Sequence, residues 1–109
     1  NITLPNSIQE IDMLAFQSCD SLESLTIPKS VKKLGGLFAS SRTNFKLIFE
    51  DTYGWQKRYA CIPSPSLIFG DWENIDPAVM ANSDSFRNLM NTSYKDSDGN
   101  VYYYEFQKV

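Results

Sequence analysis

The sequence LTIPKSVKKLGGLF, residues 25–38, closely matches ITLPNSIQEIDMLAF, residues 2–16, and this internal repeat decides the predicted fold. When Ile2 is aligned with Leu25, threonine, proline and serine recur at identical places. The aliphatic positions exchange only for other aliphatic residues. Because the two aligned segments carry the same kind of residue at so many positions, they indicate a structural repeat. A period of about 20–50 residues is typical of stacked repeat architectures.

Each repeat contains a segment with the spacing of a short β-strand. Side chains of a strand alternate between its two faces, so Leu25 and Ile27 are expected to point towards a core. Ser24 and Thr26 then point to solvent. Pro28 ends the strand, because proline has no N–H group for the ladder. One such unit cannot cover its own apolar side, whereas stacked units can, so the pattern predicts a solenoid.

The third repeat unit is degenerate, and the periodicity ends with it. In NFKLIFED, residues 44–51, the alternation of a strand continues, but no proline follows. Residues 15–16 align with residues 37–38, one position earlier than the common shift requires, which places a lost residue near Gly35. About two units and a degenerate one fall short of the roughly three that a stable array requires. We therefore expect this chain to be the carboxyl end of a longer array.

Composition and charge argue against several classes of function. The chain has 10 Lys or Arg and 13 Asp or Glu, a net charge of −3, and no basic cluster of the kind that tracks phosphates. The absence of histidine removes the commonest metal ligand and the commonest general base near neutral pH. No apolar run approaches the roughly 18 residues of a membrane span. We therefore expect no nucleic-acid partner, no metal, no cofactor and no membrane insertion within this segment.

The repeat residues carry a resemblance to a known family. The pattern L-x-x-L-x-I-P-x-x-V-x-x-I-x-x-x-A-F-x-x-C-x-x-L is filled by Leu22, Leu25, Ile27, Pro28 and Val31, and one unit earlier by Ile11, Ala15, Phe16, Cys19 and Leu22. The chain resembles the BspA-like (Treponema-type) leucine-rich repeat proteins, and FEDTYGW, residues 49–55, resembles the segment that closes such arrays. The resemblance implies an α/β leucine-rich-repeat solenoid that is β-rich.

The resemblance also implies a function. Proteins with such repeats are exported or cell-surface bacterial proteins linked to adhesion and to binding of host or matrix proteins, and similar repeats occur in some protozoan surface proteins. The leading hypothesis is a non-enzymatic, extracellular protein, at the cell surface or secreted, that mediates protein–protein binding or adhesion. Two alternatives stay open, namely a carbohydrate-binding surface module that uses aromatic side chains and a purely structural cap of a longer array.

Residues 52–109 predict a small α+β capping region that covers the open end of the repeats in residues 1–51. The tail SYKDSDGNVYYYEFQKV, residues 93–109, predicts a β-hairpin, with Asp98-Gly99 or Gly99-Asn100 at its turn. In this hairpin Tyr102 and Tyr104 are expected on one face of the strand and Tyr103 on the other.

Helix signals and breakers precede this hairpin. Asp76 is a suitable N-cap, and Pro77 suits the first position of a short helix, where its missing N–H costs nothing. Ser83 or Asp84 would cap a second helical turn. The segment CIPSPSLIF, residues 61–69, contains two prolines and predicts an extended loop.

The outward positions of the strands are the candidate protein-binding residues. In stacked repeats such positions align into a continuous face, where repeat proteins usually bind their partners. The predicted face consists of Thr3, Ser24, Thr26, Lys46 and Ile48.

Aromatic side chains of the second half are the candidates for glycan binding. Flat rings with a polar tip favour interfaces, and we consider Trp55, Trp72 and Tyr103 as a possible platform. The alternative is that these rings fill the core of the capping region, which needs large side chains.

Two further motifs do not predict a metal site. An EF-hand loop that starts at Asp96 requires Gly at its sixth position and Glu at its twelfth, but Val101 and Gln107 stand there. A polar hairpin turn accounts better for this segment. Cys19 and Cys61 are too few for a structural zinc site, and the sequence allows either separate packing or a disulfide between them.

No motif supports catalysis. Carboxylates at Glu50, Asp51, Asp71 and Glu73 could in principle form an acid/base pair, but such pairs are common in sequences and usually solvated. No histidine is available to activate a cysteine. We therefore expect no enzyme activity.

Overall fold

The computed structural model describes residues 4–16, 23–39, 46–61, 64 and 66–109 of the chain. Within these residues the elements in chain order are β1 (Glu10–Ile11), β2 (Ser24–Ile27), β3 (Lys33–Leu34), β4 (Lys46–Phe49), β5 (Trp55–Cys61), β6 (Ile68–Asn74), α1 (Pro77–Met80), α2 (Ser83–Met90), β7 (Ser93–Lys95) and β8 (Val101–Lys108). The fold is β-rich, and two short helices separate β6 from β7.

Parallel strand pairing follows the sequence repeat. Strand β1 pairs with β3 in a register that joins Ile11 to Leu34, which is the offset of the sequence alignment. Strand β2 pairs with β4 in a register that joins Leu25 to Leu47, an offset shorter by a single residue. The backbone conformation repeats as well, because Leu14 and its aligned counterpart Leu37 both have a positive φ angle, of 60° and 49°. The predicted internal repeat is confirmed at the level of hydrogen bonding.

The position of the lost residue was predicted wrongly. Phe16 pairs with Ala39, and its N–H donates to the carbonyl of Phe38 at 2.7 Å, so the repeat offset is unchanged beyond Gly35. The offset becomes shorter only at β2 and β4, which places the shortening between Ala39 and Lys46. The alignment of two phenylalanines suggested the earlier position, but the backbone ladder sets the register.

The alternation predicted for the repeat strands is confirmed. Leu25, Ile27 and Leu47 are at most 2% exposed, whereas Thr26 and Lys46 lie at the surface. Each short strand therefore contributes one apolar face to the core and one polar face to solvent.

The C-terminal half forms an antiparallel sheet that continues from the repeats. Strand β8 pairs with β5 from Trp55 and Lys108 to Cys61 and Tyr102. The other edge of β8 pairs with β3 near its end and with β7 near its start. The resulting order is β1-β3-β8-β5-β6, with β7 beside β8, so repeat strands and C-terminal strands share one sheet.

The predictions for the C-terminal half are partly confirmed. The predicted hairpin forms, but its turn lies earlier than predicted, at Ser97-Asp98, because the Gly99 N–H donates to the Asp96 carbonyl at 3.1 Å. Asp76 caps α1 as expected, by accepting the Ala78 N–H at 2.9 Å. The N-cap of α2 is Asn82 and not Ser83 or Asp84, because the Asn82 side chain accepts the Ser85 N–H at 3.0 Å. The strand β6 was not predicted, because its second half is almost entirely exposed and lacks apolar alternation.

One hydrophobic core lies between the repeat units and the C-terminal half. The ring of Phe38 lies 6.0 Å from that of Phe86 in α2 and 6.4 Å from that of Phe106 in β8. Phe49 of β4 lies 4.8 Å from Phe86. These four rings are at most 7% exposed. Because they come from both halves, neither half has a complete core by itself.

The contact between the first two repeat units predicts that Gly35→Ala destabilises the protein. A methyl group at this position would overlap the backbone nitrogen of Met13 and lie 2.7 Å from its Cα atom, and a neighbouring backbone cannot rotate away. We expect the free energy of unfolding in urea to fall by about 3 kcal/mol.

The matched control is Gly70→Ala. This glycine has a φ angle of 83° but open space around it, so only backbone strain of about 1 kcal/mol is expected. Equal losses in the two variants would contradict the close approach of the two repeat units.

Candidate functional site

The outward face of β2 and β4 is the first candidate site. Thr26 and Lys46 are exposed, and Ile48 is 47% exposed, an unusual position for a large aliphatic side chain. Ser24 is half-buried, and Thr3 lies outside the described residues. The structure thus brings together Thr26, Lys46 and Ile48 on adjacent strands, and we call these three residues the strand face.

A groove runs beside the strand face, between β4 and the turn that joins α1 to α2. Its volume is about 490 Å³. It is lined by Lys46, Leu47, Ile48, Phe49, Thr52, Ala81, Asn82, Ser83 and Asp84. Two members of the strand face therefore belong to a concave surface, which can receive a protruding segment of a partner.

Hydrogen bonds fix the walls of this groove. The Lys46 N–H donates to the carbonyl of Glu23 at 3.0 Å, towards β2, and the Leu47 N–H donates to Ser83 Oγ at 2.9 Å, towards α2. The side chain of Arg87 is 7% exposed and bonds Asp84 at 2.9 Å. The first turn of α2 is thus tied both to the edge of β4 and to its own next turn, so the groove is preformed.

The predicted aromatic platform is only partly present. Trp55 is 2% exposed, its indole N–H donates to the Asp51 carbonyl at 2.9 Å, and its ring packs on Phe49 at 5.5 Å. The expectation of an exposed Trp55 is therefore wrong, because this ring completes the core below β4. Trp72 and Tyr103 are half-buried and retain accessible surface.

Sequence reasoning missed a cluster of stacked rings on the sheet. Tyr59 stacks on Tyr104 with 4.1 Å between ring centroids, and Phe69 stacks on Tyr94 at 4.2 Å. Burial and a hydrogen bond with Tyr59 raise the pKa of Tyr104 well above its usual value. Only Phe69 of this cluster is largely exposed, at 45%, while Tyr104 belongs to the hydrophobic core and Tyr59 packs against it.

A second cleft lies at the seam where β3 meets β8. Its volume is about 260 Å³, and Glu10, Lys33, Arg58, Trp72, Glu105 and Gln107 contribute to its walls. Arg58 donates from Nε and Nη2 to Glu105 Oε2, at 3.0 Å and 2.7 Å, and its guanidinium lies 4.2 Å from the centre of the Trp72 ring. Apart from Trp72, no sequence motif pointed to this cleft, since its residues come from separate strands.

The turn considered as a calcium loop is held by its own side chain. Asp96 accepts bonds from the backbone N–H groups of Asp98 and Asn100, from the Asn100 amide and from the Tyr102 hydroxyl. The pKa of Asp96 lies below its usual value, chiefly because of the bond from Tyr102. Within the described residues, no group of three or more acidic or cysteine side chains is arranged to hold a metal ion.

The candidate carboxylates of the closing segment have structural partners. Glu50 accepts the Lys29 N–H at 2.9 Å. Asp51 pairs with Lys108 at 2.7 Å, and this contact together with the Tyr53 N–H holds the pKa of Asp51 below its usual value. Cys61 is buried and has no disulfide partner among the described residues, and Cys19 lies outside them.

Helix length adds one observation. Across the described segments, neither helix is long and apolar enough to cross a membrane.

Comparison with known proteins identifies the repeats. A family model described as BspA type leucine-rich repeat region (6 copies) matches residues 1–57, which is more than half of the 109 residues. No curated protein and no solved structure matches the chain significantly.

The hydrogen bonds of the hairpin turn predict that Tyr102 loses its proton at an unusually high pH. Its hydroxyl donates to Asp96 at 2.8 Å, and this bond, with burial, raises the pKa of Tyr102 from 10.0 to about 12. The neutral phenol is therefore favoured in the folded state. Its contribution to stability is complete below pH 10 and is lost as the pH rises from 10 towards 12.

Ultraviolet absorbance of tyrosinate measures this step directly. We expect Tyr102→Phe to remove the contribution of one tyrosine near pH 12 and Asp96→Asn to move that contribution towards pH 10. Tyr53→Phe, at a tyrosine that is 69% exposed, serves as the control and leaves the step in place. A Tyr102 step that does not respond to Asp96→Asn would contradict the bond.

Proposed function

Since the chain belongs to the BspA-type leucine-rich-repeat family, we propose that it is a surface or secreted protein that binds other proteins through its strand face. The observation that carries the proposal is the position of Ile48, which is 47% exposed beside a preformed groove of about 490 Å³. A large exposed aliphatic side chain at the edge of a concave surface is typical of interaction sites.

The flanking charges support a protein partner. Lys46 and Asp84 lie on opposite walls of the groove, with Ile48 nearby. An apolar centre with a charged rim is the usual composition of a protein interface, because the rim sets orientation and the centre supplies most of the affinity. No reacting group is needed for such a role, and we propose a non-enzymatic function.

We further propose that the parallel pairs are rungs of a short solenoid and that residues 52–109 cap it. The nearly constant offset between paired strands, from Ile11 to Leu34 and from Leu25 to Leu47, supports the solenoid. The Leu47 N–H lies on the edge of β4 that faces away from β2. A further rung would pair at this edge, but Ser83 Oγ accepts the hydrogen bond of Leu47 instead. Capping in this way does not compete with binding, because the outward side chains of β4 remain accessible.

We propose adhesion to matrix or serum proteins as the biological form of this binding. The full chain, immobilised and titrated with purified matrix and serum proteins, is the direct test. A folded protein that binds none of them would contradict the adhesive role.

The strand face predicts which substitution disrupts binding. Ile48→Glu places a charge at the expected centre of the interface, and we expect the affinity for a bound protein to fall by about 2 kcal/mol, or roughly thirtyfold. Since Ile48 is largely exposed, the thermal unfolding temperature should change little.

The matched control is Leu67→Glu. Leu67 is 41% exposed, close to the value for Ile48, but it precedes β6 and lies outside the lining of the groove. Equal weakening by the two variants would show that binding does not depend on the strand face.

A further inference from the structure

We propose that the cleft at the seam between β3 and β8 binds a single sugar ring of a glycan. The cleft is separate from the strand face, and its residues come from β1, β3, β5, β6 and β8. Its volume of about 260 Å³ is below the roughly 300–1,000 Å³ of pockets for drug-sized ligands. A cleft of this size suits one small ring better than a peptide segment.

Trp72 supplies the flat apolar surface that a sugar ring requires. Its indole is half-buried, and the Arg58 guanidinium lies against it at 4.2 Å, so its orientation is fixed before a ligand arrives. The guanidinium covers one face of the ring, and the opposite face carries the same negative charge, which attracts the weakly positive C–H groups on one side of a pyranose ring. The half-buried position leaves part of the indole accessible from the cleft.

The polar groups of the cleft suit hydroxyl groups. Both bonds from Arg58 fall on Glu105 Oε2, so Oε1 remains as an acceptor. The Gln107 amide donates to Gln56 Oε1 at 2.8 Å, which leaves the carbonyl oxygen of Gln107 as a second acceptor. A hydroxyl both donates and accepts, so adjacent hydroxyls can bond Glu105 and Arg58 together.

The charge balance favours a neutral ligand over an ion. Two acids, Glu10 and Glu105, face two bases, Lys33 and Arg58, and Glu10 and Lys33 are direct partners across β1 and β3. Because the charges cancel, an anion or a cation gains little net attraction in this cleft. A neutral polyol meets both donors and acceptors without the cost of burying an unpaired charge.

Tryptophan fluorescence can test the proposal in the full chain. Titration with neutral monosaccharides (glucose, galactose, mannose and N-acetylglucosamine) should give a saturable change for at least one of them, with a dissociation constant of about 1–10 mM. Trp72→Phe should remove this change, while the buried Trp55 continues to emit. Glu105→Gln keeps the reporter and should weaken binding about tenfold.

Two controls separate this cleft from the strand face and from a loss of folding. Tyr53→Ala and Ile48→Glu should leave the affinity for the sugar unchanged, so the two binding functions succeed or fail independently. Arg58→Lys, which preserves the charge but not the two bonds to Glu105, should also weaken binding if the Glu105→Gln protein does not fold. The proposal is overturned if no sugar gives a saturable response, or if the affinity for the sugar survives both Glu105→Gln and Arg58→Lys. It is also overturned if glycine or sulfate binds more tightly than every sugar.

Discussion

The rest of the structure depends on strand β3 (Lys33–Leu34), which pairs with a different strand along each of its two edges. This short strand is parallel to β1 of the preceding repeat and antiparallel to β8 of the C-terminal half. The Lys108 N–H donates to the Lys32 carbonyl at 2.8 Å and extends the second pairing. Below the strand, Leu34 is 1% exposed and belongs to the same core as Phe106. A strand with partners on both edges is a central strand, so the sheet that begins in the repeat units continues through β3 into the C-terminal strands.

Burial increases from the first repeat unit towards the seam. Pro5 is exposed, while Pro28, its counterpart in the second unit, is buried, and Ile8 is half-buried where Val31 is fully buried. The same sequence pattern therefore has a different energetic value in each unit, because burial of an aliphatic side chain contributes roughly 1.5–3 kcal/mol only when a neighbour covers it. The C-terminal half supplies that cover to the second unit through its aromatic side chains. This dependence explains why the repeat units and the C-terminal half share one core among the described residues.

Local sequence patterns predicted the features that depend on local rules. The alternation of Leu25 and Ile27, the capping of α1 by Asp76 and the pairing of the final hairpin all follow from the chemistry of a few adjacent residues. The seam cleft could not be predicted in this way, because Arg58 and Glu105 lie far apart in the chain and meet only when β5 pairs with β8. The sequence allows Trp55 either in an exposed platform or in the core for the same reason: its burial depends on Phe49, a residue of a different strand that packs against it.

The two candidate surfaces differ in how the protein holds them before binding. At the strand face, backbone hydrogen bonds of Lys46 and Leu47 hold the strand that carries Ile48, so binding there depends on the shape of the groove. In the seam cleft, Arg58 is held by Glu105 and by the Trp72 ring, and the ion pair is 28% and 21% exposed. A pair this exposed contributes only about 0–1 kcal/mol to stability. Its principal physical effect is therefore to orient the polar groups, which lowers the entropy that a ligand would otherwise lose in ordering them. Substitutions of Arg58 or Glu105 should for that reason affect ligand binding more than folding, whereas changes at Trp55 or Phe106 should affect folding first.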